Sequence, residues 1–134
     1  MPKTNYLKRS LGVAFAALPA LPLLSALMQP QQIDVRDTAF VVAPLVLAAA
    51  FAFPNFHLSF VRPWLYRRRH GSFVDYKFVS GIPMLGTLCA SVAAYFGWGS
   101  ILCGALILII TLIDTLSPPW FVLATWRDTS LWDA

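Results

Sequence analysis

Four apolar runs separated by short polar connections make up this chain. The first, Leu11 to Met28, is interrupted only by Gly12, Pro19, Pro22 and Ser25. Eighteen residues of helix reach about 27 Å, close to the hydrocarbon thickness of a bilayer. Pro19 and Pro22 are expected to kink it, which lipid tolerates where neighbouring groups satisfy the freed carbonyls. After the polar linker Gln29 to Asp37, the second run starts at Ala39, passes Pro44 and Pro54, and ends near Val61. Asn55 and His57 are expected near its end, with Trp64 and Tyr66 following as an aromatic belt.

Ser80 predicts an N-cap for a third helix, with Pro83 tolerated in its first turn. Gly97-Trp98-Gly99-Ser100 predicts a tight turn, and Ile101 to Leu116 is the most hydrophobic run. Ser117-Pro118-Pro119 stops it. The aromatic tail, 117–134, is expected to lie along the interface as a short amphipathic segment. The pattern predicts an all-α polytopic membrane protein: a four-transmembrane-helix bundle with spans 11–28, 39–61, 81–96 and 101–116. A basic loop over 62–80 divides it into halves.

Charge adds an orientation. The N-terminal segment carries +3 (Lys3, Lys8, Arg9), the first connection −1 with Arg36 among acids, the basic loop +4, and the third connection none. This alternation predicts both termini and the loop on the cytoplasmic side of the membrane. A basic start before an apolar run also fits a signal peptide, but the run is long for one and no clear Ala-x-Ala site follows.

With 58% hydrophobic and 12% charged residues, the chain lacks the polar residues to coat a soluble protein this small. The lipid bilayer is therefore its first partner. The net charge of +4 is accounted for by orientation, and no nucleic acid is expected.

Helices in lipid associate through small residues. Gly86, Ala90 and Ala94 share one face of the third span, and Ser100 and Gly104 one face of the fourth. They predict packing within a hairpin, or a face for another protein or a second copy. Folding that hairpin offsets Cys89 from Cys103 by about 7.5 Å along the axis, which predicts free, buried thiols.

Asp114 is the single acid inside a predicted span and is the candidate intramembrane polar site. It is expected to tether to Arg67, Arg68, Arg69 or Lys77, with an ion or proton site and a partner contact as alternatives. His57, His70 and Asp75 lack the spacing of a zinc motif. No nucleophile–base pair, carboxylate pair or phosphate-cradling Gly loop is visible. Neither enzyme activity, a metal nor a cofactor is expected. The largest recognition surface is Trp64, Tyr66, Arg67, Arg68, Arg69, Phe73 and Tyr76, the candidate partner-binding residues.

Ser59-Phe-Val-Arg-Pro-Trp-Leu-Tyr-Arg-Arg-Arg-His70 and Val79-Ser-Gly-Ile-Pro-Met-Leu-Gly86 resemble stretches of a group of small four-span bacterial inner-membrane proteins. The likeness falls within residues 59–86, about a fifth of the chain, and implies location, not activity. Small multidrug-resistance transporters, by contrast, depend on a Glu in the first span, and this chain has no Glu. The expected function is a non-enzymatic membrane protein acting through protein–protein interaction, an immunity protein against a membrane-acting toxin being one form. The alternatives are a small oligomeric transporter or channel subunit, or a holin-like pore former.

Overall fold

A computed structural model describes residues 5–34 and 37–132. Lys3 and Arg36, two of the orientation charges, and the last two residues of the tail lie outside these. The described residues are helical, without strands.

Helices α1 (Tyr6–Ala17) and α2 (Leu21–Met28) are joined by a 3-10 turn at Leu18–Ala20. The start of α1 is capped by Asn5, whose side chain accepts from the Lys8 amide at 3.2 Å. The expected interruption at Pro19 and Pro22 is that tighter turn, because neither proline has an amide hydrogen to donate.

Helix α3 (Thr38–Phe56) runs through a π-helical turn, His57–Val61, directly into α4 (Arg62–His70). The basic loop expected from residue 62 therefore begins as helix. Pro63 fits the first turn of α4. Arginine is a good helix former, and Arg67, Arg68, Arg69 and His70 sit in the last turn, where cations oppose the negative end of the helix dipole. Gly71, at φ 73°, ends it in the left-handed conformation.

Residues 71–84 have no regular helix, and α5 spans Leu85–Phe96. It starts four residues later than expected. Pro83 disfavours helical backbone at Ile82, and Ser80, instead of capping, donates to the Gly81 carbonyl at 3.3 Å. At 12 residues, α5 is about 18 Å long, too short to cross a bilayer by itself. Three stretches, Tyr6–Met28, Thr38–His70 and Ile101–Thr125, the last interrupted at residues 114–117, are long and apolar enough to cross.

Helix α6 (Ile101–Ile113) is capped by Ser100, whose hydroxyl accepts from the Cys103 amide at 3.3 Å. Helices α7 (Pro118–Thr125) and α8 (Thr129–Trp132) complete the chain. The tail does not simply skirt the surface. Trp132 is buried on α1 at Gly12, and the Trp126 carbonyl accepts from Arg9 at 3.4 Å.

Helix α3 packs mainly against α5, α2 against α6, and α1 against α7. The core is made of Val41, Leu45, Ala48, Ala90, Ala93, Cys103 and Ile107. Large apolar side chains such as Phe40, Leu47, Phe53, Leu88, Leu102 and Ile109 face outward. Small residues inside and large apolar residues outside suit a lipid solvent, in which close backbone approach drives association. Gly86 and Ala90 are buried and Ala94 is half-buried; α5 packs more extensively on α3 than on α6, and Gly86 lies between the Asp114 carboxyl and the Ala48 carbonyl. Gly104 closes on α2, where a methyl group would sit 2.6 Å from Leu23 Cα. Both thiols are free; Cys103 is buried and Cys89 half-buried.

Candidate functional site

Two regions concentrate polar chemistry. The first is a buried junction where three pieces of chain meet: the end of α3, the extended segment before α5, and the end of α6. Asn55 is 2% exposed and Asp114 is 1% exposed. The Asn55 amide nitrogen donates to the Ile82 carbonyl at 3.1 Å and to Asp114 Oδ1 at 2.8 Å. Its oxygen accepts from the Ile82 amide at 3.0 Å. One side chain thus satisfies both backbone groups of a residue that no helix serves, as backbone polar groups turned away from water require.

Asp114 Oδ1 also accepts from the Leu116 amide at 3.2 Å. The carbonyls left open where α6 stops are answered in turn. Ser117 Oγ donates to Thr111 O at 2.7 Å, and Trp120 Nε1 donates to Leu112 O at 2.8 Å. Thr115 Oγ1 donates to Asn55 O at 3.1 Å, so Ser59 Oγ is the donor in the 2.7 Å contact between the two hydroxyls. Asp114 Oδ2 has no hydrogen-bond partner among the described residues. It lies against Gly86, in the first turn of α5, whose open amides carry partial positive charge.

The expected tether is therefore corrected. Asp114 pairs with Asn55, not with Arg67, Arg68, Arg69 or Lys77. The three arginines continue along α4 and Lys77 lies in the segment after it, while the acid sits where α6 breaks against the start of α5. Asn55 was the residue whose role sequence reasoning missed; its signal was a lone amide in an apolar run beside Pro54.

The second region is α4 with residues 71–78. Helical spacing divides the candidate surface into two faces. Trp64, Arg67 and Arg68 lie on the outer one, lining a shallow depression beside Gly71. The Arg68 guanidinium lies 5.4 Å from the Trp64 ring centre, and that of Arg67 5.6 Å from Phe73. Tyr66, Arg69 and Tyr76 belong to the inner face. The Tyr66 hydroxyl donates to the Val74 carbonyl at 2.9 Å, which ties α4 to the chain that follows it. The Tyr66 ring stacks on His70 at 4.2 Å and meets Tyr76 at 4.9 Å. None of these cations forms an ion pair among the described residues. His57, His70 and Asp75 share the inner cavity, yet no three such side chains among the described residues are placed to hold a metal ion.

Comparison with family models, curated proteins and solved structures gives no match. The two regions are read from their own geometry.

Proposed function

We propose that this chain is an integral membrane protein that acts by binding another protein, with the outer face of α4 and Phe73 as its recognition surface. The three long helices and the α5 segment cross a bilayer four times, with α4 and both termini on the cytoplasmic side of a bacterial inner membrane. The observation that carries the reading is the pair of guanidinium groups held over aromatic rings, Arg67 over Phe73 and Arg68 over Trp64, with no acid paired to either among the described residues. Stacking restricts these side chains before a partner arrives, which lowers the ordering cost of binding. An arginine fork matches a carboxylate, so the partner chemistry is an acidic protein surface.

A photoreactive amino acid in place of Trp64, in living cells, tests this. One discrete protein adduct is expected, lost when Arg67 and Arg68 are changed to Glu, and absent for the same probe at lipid-facing Val46. Equal adducts at positions 64 and 46 contradict the reading. An immunity protein against a membrane-acting toxin is one form of the function; equal killing with and without the chain rejects that form.

One observation favours a second reading, a transporter or channel subunit. The unpaired Asp114 Oδ2 is buried where one apolar helix breaks and another begins, an arrangement that serves ion sites in transporters. Ion flux into liposomes that Asp114→Asn abolishes would establish it.

A further inference from the structure

The inner face of α4 lines an open cavity of about 400 Å³ with a charge imbalance. Arg62 and Arg69 reach it from α4, and Lys77 from the segment that returns along the helix. Asp75 is the one carboxylate lining it, and it pairs with none of the three cations among the described residues. His57 and His70 add two imidazoles.

The convergence is built by the backbone. Residues 62, 65, 66, 69 and 70 follow helical spacing and share one side of α4. His57 lies five residues before Arg62 and would point elsewhere on a regular α-helix. The π-helical turn, closed by a bond from the Arg62 amide to the His57 carbonyl, brings residues five apart into line. On the other wall, the chain turns at Asp75 with φ 63°. The Tyr76 ring lies 5.8 Å from the Arg62 guanidinium. The Tyr76 hydroxyl is buried and has no hydrogen-bond partner among the described residues, so a donor is left open in the wall of a cationic cavity. His70 Nδ1 is 3.1 Å from the Tyr66 carbonyl, which accepts its proton. Its Nε2 is left for other partners.

We propose that this cavity binds a phosphate group, with Arg62, Arg69 and Lys77 neutralising its oxygens and Tyr76 donating a hydrogen bond. Several cations around one concave site match a doubly charged, many-oxygen anion better than a single carboxylate. The cavity opens where an apolar span gives way to charge, so the phosphate is carried either by an anionic lipid headgroup or by a soluble molecule.

The test is calorimetric titration of the full chain in neutral detergent. The probes are inorganic phosphate and short-chain phosphatidic acid, with chloride at matched ionic strength as the blank. Saturable binding of at least one probe is expected. Arg69→Ala and Lys77→Ala should each weaken it roughly tenfold, as the loss of one charge-assisted contact does. Arg69→Lys, which keeps the charge, should retain most of the affinity. Arg67→Ala with Arg68→Ala, on the outer face, should leave it unchanged, which keeps this outcome separate from that of the protein-binding reading. Tighter binding of phosphatidic acid assigns the site to a lipid headgroup; equal or tighter binding of phosphate assigns it to a soluble ligand. No saturable binding of either probe overturns the proposal. So does an equal loss from the outer-face pair, which would mean diffuse charge rather than a site.

Discussion

The junction around Asn55 and the basic end of α4 are both polar regions on an apolar chain, and they use their polar groups in opposite ways. At the junction, nearly every donor and acceptor is spent on another part of the same molecule. Asn55 serves Ile82 and Asp114, Ser117 serves Thr111, and Thr115 serves Asn55. Along α4, Arg62, Arg67 and Arg68 lie over aromatic rings, and the arginines meet no carboxylate among the described residues. The first arrangement holds discontinuous helices together through bonds within the chain. The second leaves ordered charge open. Polar groups spent internally point to structure, and ordered polar groups left open point to binding.

The comparison breaks most readily at Asn55. Asn55→Leu strips partners from Ile82 N–H, Ile82 C=O and Asp114 Oδ1 together. It should destabilise the protein by about 3 kcal/mol, measured as unfolding in mixed detergent, several modest bonds being lost at once. Gly86→Ala is next. Its methyl group would stand 2.6 Å from Asp114 Oδ2 and 3.4 Å from the Ala48 carbonyl. A loss of about 2 kcal/mol in the same assay is expected from overpacking.

Asp114→Asn sharpens the contrast. It keeps the acceptor that Asn55 and Leu116 use and removes only the charge facing the start of α5. The expected loss is about 1 kcal/mol; abundance should fall slightly. Unchanged stability with lost ion flux would instead favour the transport reading.

The smallest effect lies in the tail. Hydrogen bonds from the Ser130 hydroxyl and amide hold the Asp128 carboxyl below the usual carboxylate range. A group whose folded pKa is lowered contributes stability above its unfolded pKa, which is lost as pH falls through the folded value. Hydrogen exchange of α8 should therefore be unchanged near neutral pH and rise only below about pH 4. Asp128→Ala should remove that acid dependence.

The apolar runs were legible because lipid demands long stretches without charge, and all three long helices fall on them. Where helices end was less legible, for two physical reasons. Arg62 to His70 marks the edge of hydrocarbon, but charge does not end a helix, and arginines in a last turn support one. The start of α5 reads locally as Ser80 capping a helix with Pro83 inside it. What decides it is Asn55, 27 residues earlier, taking both backbone groups of Ile82. Asp114 was visible as an anomaly, but its partner was not, since Asn55 lies 59 residues away in the chain. The aromatic and basic residues of 62–77 were visible as a group. Their division into two faces depends on α4 being helical and on the π turn that swings His57 beneath Arg62.

The central claim is that the cations of α4 are held for a partner and are not needed to hold the fold. Unfolding of the Arg67→Ala, Arg68→Ala, Arg69→Ala triple variant in mixed detergent tests it most directly, set beside Asn55→Leu. A change within about 1 kcal/mol of the parent is expected, since exposed unpaired charges contribute little beyond the helix dipole. A loss as large as that of Asn55→Leu would contradict the account and make the basic end a structural element like the junction.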